Sequence, residues 1–151
     1  MDSQISPDPV ASDRVFYGEY ERGLDKKGRM TLPATFRELL GDEPAFLTRG
    51  LDGCLSLYPK AQFDELRQKS KELGLTSSDA MEFNRFFFAR ATLAKPDGMG
   101  RINIPPFLRK YAALEKDAVV AGVNTHVEIW NPERWQEEQE QLAFKARNKG
   151  W

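Results

Sequence analysis

Two short stretches of this chain place an aspartate, a glycine and an arginine at the same spacing. The first is residues 25–33, DKKGRMTLP, and the second is residues 97–105, DGMGRINIP. Each reads Asp-x-x-Gly-Arg, followed by an apolar, a polar and an apolar residue and then proline. Such residues suit a tight turn, because the aspartate accepts backbone hydrogen bonds, the glycine adopts a positive φ and the arginine pairs with the aspartate. An arginine presented by a turn can bind a phosphate group or the edge of a guanine.

The first turn is the more strongly charged of the two. Arg22, Lys26, Lys27 and Arg29 set against Asp25 give a local charge of +3, whereas the whole chain has a formal net charge of −1. Lysine and arginine contacts to phosphate supply most of the sequence-independent affinity of a protein for DNA. We therefore predict that these cations bind DNA and that Asp25 orients Arg29. A purely structural turn with solvated lysines is the alternative interpretation.

The second turn carries less charge. Arg90, Lys95 and Arg101 set against Asp97 give a local charge of +2, and the paired lysines of the first turn are absent. We predict that Arg101 is a further DNA contact, oriented by Asp97, and we rank this turn below the first. Two basic turns related by a local twofold axis would suit the two backbones of one double-stranded DNA.

Composition limits the class of protein. The chain has 151 residues, of which 40% are apolar, enough for one ordinary domain or two small ones that share a core. Its pI near 5.9 argues mildly against a general nucleic-acid binder but is compatible with a local basic patch. One cysteine cannot form an internal disulfide, and no apolar run approaches the roughly 20 residues of a membrane span. We therefore expect a cytoplasmic protein with no membrane partner.

The composition changes along the chain and divides it into four segments. The N-terminal residues include few large apolar side chains, so they cannot bury enough surface to fold. A later stretch has four phenylalanines within six residues, which we interpret as core packing of a helix rather than as a subunit contact. We predict a disordered tail over residues 1–14, a first repeat over residues 15–74, an inter-repeat helix over residues 75–89 and a second repeat with a C-terminal helix over residues 90–151.

Local patterns predict the secondary structure. Apolar alternation around Asp/Gly turns indicates strands, including a hairpin about the first motif, and helical spacing of apolar residues indicates helices. The predicted strands are residues 15–20, 29–32, 45–48, 55–58 and 91–93, and the predicted helices are residues 34–40, 60–73 and 132–149.

The two motifs belong to a longer internal repeat. They lie 72 residues apart, and this offset aligns the chain without a gap from residue 25 to residue 63. The aligned pairs include Arg37 with Arg109, Leu47 with Val119, Gly50 with Gly122, Leu51 with Val123 and Tyr58 with Trp130. We interpret the pattern as a duplication in which two half-domains complete each other, a pseudo-dimer in one chain.

An enzyme is the main competing hypothesis. The only cysteine, Cys54, and the only histidine, His126, are also 72 residues apart, at the start of a predicted strand, so nothing suggests a nucleophile and its base. No spacing of Cys, His and carboxylates matches a zinc site, and no dinucleotide-binding glycine pattern is present. We predict no catalytic residue, cofactor, metal or small-molecule substrate.

The motifs and their neighbours resemble the MraZ family. The resemblance rests on Gly18-Glu19-Tyr20, both Asp-x-x-Gly-Arg motifs, Leu32-Pro33, Phe36-Arg37 and Trp130-Asn131, and it covers about residues 15–145. It implies two tandem SpoVT-AbrB-like half-domains in an α+β, mainly β, fold, an intertwined swapped-hairpin β-barrel with flanking helices. It also implies that Arg29 and Arg101 are DNA contacts, with Asp25 and Asp97 as their acidic partners.

The same resemblance implies a function. MraZ proteins are bacterial transcriptional regulators, typically repressors, that act at the promoter of the division and cell-wall gene cluster, often their own operon. They bind short direct repeats in promoter DNA and assemble into rings of several subunits. We therefore expect a nucleoid-associated homo-oligomer. The alternative is a non-enzymatic assembly or protein-interaction module, AbrB-like or antitoxin-like, without promoter specificity.

Overall fold

The computed structural model describes residues 14–73 and 78–151 as eight strands and five helices. The first half contains β1 (Phe16–Gly23), β2 (Arg29–Thr31), α1 (Ala34–Leu40), β3 (Ala45–Arg49), β4 (Leu55–Tyr58) and α2 (Lys60–Glu72). After α3 (Ser78–Phe87), the second half contains β5 (Thr92–Ala94), β6 (Arg101–Asn103), α4 (Pro106–Tyr111), β7 (Asp117–Asn124), β8 (Val127–Trp130) and α5 (Pro132–Lys149). The predicted tail, apart from its last residue, and the start of the predicted inter-repeat helix lie outside the described residues.

Prolines mark where several helices begin. Pro33, Pro59 and Pro105 stand immediately before α1, α2 and α4, where the missing N–H group breaks no helical hydrogen bond. The last helix, α5, begins instead after Asn131, whose side chain accepts a hydrogen bond from the backbone N–H of Arg134 at 3.0 Å. The order of strand, cap and helix is therefore repeated in both halves.

One hydrophobic core is built from both halves. Its fully buried side chains include Phe16, Met30, Phe36, Leu47, Leu57, Ile102, Leu108, Val120 and Ile129. Helix α1 contributes Phe36 and Leu40 to it, and α4 contributes Leu108. The two repeats therefore fold as one unit, because the apolar side chains of each are buried against the other.

Strand pairing crosses between the halves. In the described part of the chain the large sheet has the order β1-β7-β8-β4-β3-β5, and β2 pairs with β6 in a separate two-stranded ribbon. All six ladders are antiparallel. Four of them join a strand of the first half to a strand of the second: β1 to β7, β2 to β6, β3 to β5 and β4 to β8.

Two parts of the predicted fold class are wrong. The helices hold more residues than the strands, so the fold is mixed α/β with a mostly antiparallel sheet rather than mainly β. The large sheet also does not close into a barrel in the described residues, because β1 and β5 are its edges. The ribbon of β2 and β6 does not close it, since in the described residues only a single bridge, between Met30 of β2 and Leu24 immediately after β1, joins the ribbon to this edge.

The predicted hairpin about the first motif is reduced to its turn. Apart from the Leu24–Met30 bridge, β1 pairs along its whole length with β7. The backbone N–H of Leu24 donates to the carbonyl of Lys116 at 2.8 Å, so even the last hydrogen bond before the turn goes to the second half. Tertiary pairing therefore replaces the local pairing that the sequence predicted.

The gap-free alignment of the halves is wrong at one strand. The starts of α1 and α4, β2 and β6, β4 and β8, and α2 and α5 are each 72 residues apart, as predicted. In β3, however, the core residues are Ala45 and Leu47, whereas in β7 they are Ala118 and Val120, which is an offset of 73.

Strand pairing supports the offset of 73. Leu47 faces Leu57 in the first half, and Val120 faces Ile129 in the second. The second half therefore has one extra residue before β7 and one fewer in the turn after it. It follows that the predicted pairs of Leu47 with Val119, Gly50 with Gly122 and Leu51 with Val123 are not equivalent positions.

The phenylalanine-rich helix α3 packs within the molecule. The rings of Phe87, the last residue of α3, and of Phe88, which follows it, lie 6.1 and 5.3 Å from the ring of Phe63 on α2. Phe86 points to the second half, where its ring lies 5.9 Å from that of Tyr111. Phenylalanines of this helix therefore contact aromatic side chains of both halves, which agrees with the predicted core packing.

Candidate nucleic-acid interface

Asp25 holds the first turn together. Its Oδ1 atom accepts hydrogen bonds from the backbone N–H groups of Lys27 and Arg29, both at 2.9 Å, and its Oδ2 atom accepts from Arg29 Nε at 2.7 Å. The backbone N–H of Gly28 also donates to the carbonyl of Asp25, at 3.0 Å. Arg29 is thereby bound through Nε, and within residues 14–73 and 78–151 no hydrogen bond engages its two terminal nitrogens.

The second turn has the same bonding. Asp97 Oδ1 accepts from the backbone N–H groups of Met99 and Arg101, both at 2.9 Å, and Oδ2 accepts from Arg101 Nε at 2.9 Å. The backbone N–H of Gly100 donates to the carbonyl of Asp97, also at 2.9 Å. The predicted pairing of each arginine with its aspartate is confirmed in both turns.

Both aspartates are stabilised in the charged form. The backbone N–H of Arg29 is the largest influence on the Asp25 carboxyl, and it lowers the pKa against an opposing effect of desolvation. The backbone N–H of Arg101 lowers the pKa of Asp97 in the same way. Each carboxylate therefore stays ionised at neutral pH and fixes one edge of its arginine, which leaves the other edge for a ligand.

The ribbon of β2 and β6 brings the two turns together. Its register pairs Arg29 with Asn103, Met30 with Ile102 and Thr31 with Arg101. Directly paired residues share a face of an antiparallel ladder, and the central pair is in the core, with Met30 at 0% and Ile102 at 1% exposure. The opposite, outer side carries four polar side chains: Arg29, Thr31, Arg101 and Asn103. We call this surface the ribbon face.

A local twofold axis passes through this ribbon. Met30 and Ile102 occupy equivalent positions of the two repeats and face each other in the ladder. An axis through that pair relates Arg29 to Arg101. The two arginines are diagonal neighbours across the strands, so their Cα atoms are roughly 7–8 Å apart. Residues that are 72 positions apart in the sequence thus become adjacent on one surface.

A further arginine covers the glycine of each turn. Gly28 has a φ of +82°, and a Cβ atom there would lie 2.6 Å from Cζ of Arg109 on α4. Gly100 has a φ of +78°, and a Cβ atom there would overlap Nη1 of Arg37 on α1. Glycine is needed at both positions for the left-handed backbone and for the space that the arginine occupies. The helix of each half therefore covers the turn of the other.

Arg37 and Arg109 are site residues that the sequence analysis did not propose. The alignment of the two positions at an offset of 72 was visible in the sequence. What could not be seen is that each covers the opposite turn, because that contact depends on the crossing of the halves. Arg109 Nε is buried, and no group in the described residues accepts a hydrogen bond from it.

The remaining predicted cations lie in two different settings. Lys26 and Lys27 are exposed at the tip of the first turn. Arg22 instead donates from Nη1 to the carbonyl of Glu21 at 2.8 Å, and its guanidinium lies 5.5 Å from the ring centre of Tyr20. The side chain of Arg22 therefore contacts neighbours in β1 rather than the motif.

The cysteine and the histidine do not form a reactive pair. Cys54 is buried, which raises the pKa of its thiol, and its Sγ donates to the carbonyl of Leu51 at 3.2 Å. A thiol that resists deprotonation is a poor nucleophile. His126 stacks on the ring of Tyr58 at a centroid distance of 4.2 Å, and its Nε2 lies 3.7 Å from the carboxylate of Glu128.

Residues 14–73 and 78–151 contain neither a metal-binding cluster nor a membrane-spanning helix. No group of three or more His, Cys, Asp and Glu side chains in that part of the chain could hold a metal ion. No helix there is both long enough and apolar enough to cross a membrane.

Known protein families include one that matches both repeats. The family model described as MraZ protein matches residues 15–86 and again residues 87–149. The chain belongs to the MraZ family. The description of this family also carries the term antitoxin-like. The resemblance predicted from the two motifs is therefore confirmed, and so is the repeat.

Relatives in the MraZ family cover most of the chain. A protein from Heliobacterium modesticaldum, named transcriptional regulator MraZ, is 48% identical over 85% of this chain and 90% of its own length. Proteins of the same name from Desulforamulus reducens and Thermomicrobium roseum are 50% and 45% identical. The match to the Desulforamulus protein spans 80% of this chain and 84% of that protein. The match to the Thermomicrobium protein spans 87% of this chain and 92% of that protein.

Proposed function

We propose that this chain is a sequence-specific DNA-binding transcriptional regulator. The observation that carries the proposal is the pairing of Arg29 and Arg101 about one twofold axis on the ribbon face. Each is fixed at Nε, and its terminal nitrogens form the planar fork that binds guanine or phosphate. The names of the MraZ-family relatives as transcriptional regulators support the same function.

The distribution of charge favours one docking orientation. The two turns and the arginines that cover them carry six cations against two carboxylates, a local charge of +4 on a chain of net charge −1. The rest of the molecule is therefore acidic and repels DNA, while the ribbon attracts it. The cations are Lys26, Lys27, Arg29, Arg37, Arg101 and Arg109, and the carboxylates are Asp25 and Asp97.

A two-stranded ribbon has a known way to contact a duplex. The major groove of B-DNA is about 12 Å wide and admits such a ribbon. In this arrangement Arg29 and Arg101 contact guanine edges, Lys26 and Lys27 contact phosphates, and the aspartates orient the arginines. Arg22, whose contacts are within β1, is the weakest of the proposed DNA contacts.

The finer biological role is proposed from the family resemblance. The chain represses its own operon, in the division and cell-wall gene cluster, by binding direct repeats as a ring of several subunits at the nucleoid of the cytoplasm. Its repeats, residues 15–74 and 90–151, form an intertwined swapped-hairpin unit joined through residues 75–89, without an enzymatic activity or a cofactor. A reporter gene tests the sign of regulation, and native mass spectrometry gives the number of subunits.

A gel-shift titration tests the function. The wild type and Arg29→Ala are titrated against a duplex from upstream of the protein's own gene, with a scrambled duplex as competitor. Loss of a bidentate guanine contact removes about 1–3 kcal/mol, so the variant should bind the promoter roughly 5- to 150-fold more weakly. Arg67→Ala is the matched control, because it removes one exposed positive charge from α2, outside the motif.

Circular dichroism must show that the variants are folded. A folded Arg29→Ala protein that binds like the wild type would show that Arg29 is not the main contact. If the wild type gives no sequence-specific shift, the proposed regulatory function is wrong.

A protein-interaction module is the second candidate. Three exposed apolar side chains lie on the edge strand β5 and on or just after α5: Leu93 is 65% exposed, Phe144 is 49% and Trp151 is 76%. Apolar groups at an open sheet edge and on a terminal helix favour contacts with other protein chains. Promoter binding that survives replacement of all three by serine would show that these residues are not needed for DNA binding.

A further inference from the structure

We infer that Asn103 and Thr31 contact base edges beside the two arginines, and that the difference between them gives the chain a direction on DNA. The inference rests on the proposed function, since it concerns the same ribbon face. It adds two residues that determine specificity and assigns a different role to each half of the motif.

The hydrogen-bond pattern of the ribbon places these side chains next to the arginines. Leu32 N donates to the carbonyl of Gly100, and Ile104 N donates to that of Gly28, both at 2.9 Å. Bonded and non-bonded pairs alternate along an antiparallel ladder. The two bonds make Leu32–Gly100 and Gly28–Ile104 the bonded pairs. The next pair along from Gly28–Ile104, which is Arg29 with Asn103, is therefore a non-bonded pair.

The same alternation places Thr31 opposite Arg101. At non-bonded pairs the opposite Cα atoms are only about 4.5 Å apart. That separation is close to the roughly 3.4 Å rise between base pairs of B-DNA. Each arginine and its partner can therefore contact neighbouring base pairs.

Both side chains are available for a ligand. Asn103 and Thr31 are exposed, and within the described residues neither side chain takes part in a hydrogen bond. On the other side of the same strands, Met30 and Ile102 are buried and fix the ribbon to the core. The two polar side chains thus stand on a rigid support between two arginines that are held by carboxylates.

The chemistry of the two side chains differs. An asparagine amide can make two hydrogen bonds to one adenine in the major groove: its nitrogen donates to N7 and its oxygen accepts from the N6 amino group. The other bases do not offer this pair of groups in the major groove. Threonine has one hydroxyl and one methyl group, so it contacts several bases and packs well on the methyl of thymine. Asn103 should therefore select adenine next to the guanine bound by Arg29. Thr31 should select more weakly next to Arg101.

The symmetry of the ribbon makes this difference informative. The axis through Met30 and Ile102 relates Thr31 to Asn103 as it relates Arg29 to Arg101. If positions 31 and 103 carried the same residue, the four side chains of the ribbon face would be symmetric and would favour a palindromic sequence. Because Thr31 and Asn103 are unequal, the preferred sequence has a direction, and one chain can be oriented along a duplex.

Selection from random duplexes tests the inference. Wild type, Asn103→Thr and Thr31→Asn are each incubated with a random duplex library, and the bound DNA is sequenced. The wild type should select an asymmetric motif. Asn103→Thr should lose the adenine preference at one position by roughly 5- to 150-fold and select a more symmetric motif, and Thr31→Asn should gain a matching preference on the other side.

The controls separate specificity from stability. Asn148→Thr makes the same exchange at an exposed position of α5 and should select the wild-type motif. Thermal unfolding of each variant shows whether it is folded, and threonine suits an exposed strand position. Total affinity for a duplex of fixed scrambled sequence should stay within about twofold in all four proteins, because phosphate contacts are unchanged.

The outcomes distinguish this inference from the proposed function. If the wild type selects no motif, the function fails and the inference with it. If the wild type selects a motif and both ribbon variants select the same motif, the inference is overturned while the regulatory function stands. If Thr31→Asn changes the selected motif but Asn103→Thr keeps that of the wild type, the role of Asn103 is also overturned.

Discussion

The two Asp-x-x-Gly-Arg turns have the same internal bonding and different tips. In both, the aspartate accepts two backbone N–H groups and the Nε of its arginine at 2.7–2.9 Å. The tip of the first turn is Lys26 and Lys27, whereas the tip of the second is Gly98 and Met99, with Met99 69% exposed. The motif therefore fixes the position of the arginine, and the two tip residues set the charge that accompanies it.

The turns also depend on each other's half of the molecule. Arg109 of the second half covers Gly28, and Arg37 of the first half covers Gly100. The carbonyls of both glycines accept hydrogen bonds from the opposite half, from Ile104 N and Leu32 N. Neither turn is thus structurally independent of the opposite half, although each looks complete in the sequence.

Alanine at Gly100 should have the largest effect on stability. A φ of +78° costs an L-residue about 1–2 kcal/mol, and the new Cβ also displaces the guanidinium of Arg37. Urea unfolding should show a loss of at least that size, and Gly28→Ala should show a similar loss. Gly98→Ala is the control, because a Cβ atom there would meet nothing within 4 Å. Equal stability of the Gly100 and Gly98 variants would contradict the geometry.

A double-mutant cycle with Arg37→Ala separates the steric cause of this loss from the backbone cause. If the guanidinium is displaced, Arg37→Ala should be less destabilising in the Gly100→Ala background than in the wild type. Strict additivity would assign the whole effect to the backbone conformation of Gly100.

Exchanging the tips should change the salt dependence of DNA binding. Each phosphate contact contributes about 0.9 to the slope of log affinity against log salt concentration. Replacing Lys26 and Lys27 by alanine should therefore lower the slope by up to about 2. Gly98→Lys with Met99→Lys should raise it by a similar amount. Fluorescence anisotropy at several salt concentrations measures both, and an unchanged slope in the first variant would exclude the lysines as phosphate contacts.

The acid response should be the smallest effect and the same in both turns. Because the folded pKa of Asp25 and of Asp97 is lowered, their stabilising contribution is present above the unfolded pKa of about 3.9. It is lost only as the pH falls through the folded pKa. Carbon NMR of the carboxyl groups should give both a pKa below 3.9, and an ordinary value for either would show that its turn is open in solution.

Local elements were largely predictable from the sequence. The helices α1 and α5 have the predicted bounds, because proline and glycine act as start and stop signals within a few residues of the helix itself. The bonding of Asp25 with Arg29 and of Asp97 with Arg101 was predictable for the same reason, since each pair is only four residues apart.

Strand partners and the alignment of β3 with β7 were not predictable. An alternating pattern fixes which face of a strand is buried, but it does not name the neighbour to which the strand binds. Strand β1 pairs with β7 rather than with β2, and the offset of 73 appears only from the register of Leu47 and Val120. Both facts depend on contacts between residues far apart in the chain.

Residue types and spacing were enough to predict the two arginine turns, the repeat and membership of the MraZ family. That Arg29 and Arg101 share one ribbon face with Thr31 and Asn103 became visible only in the folded chain. The physical reason is that each turn is closed by hydrogen bonds between near neighbours, whereas the ribbon is closed by hydrogen bonds between two halves. Those bonds form only where the common core brings Met30 and Ile102 together.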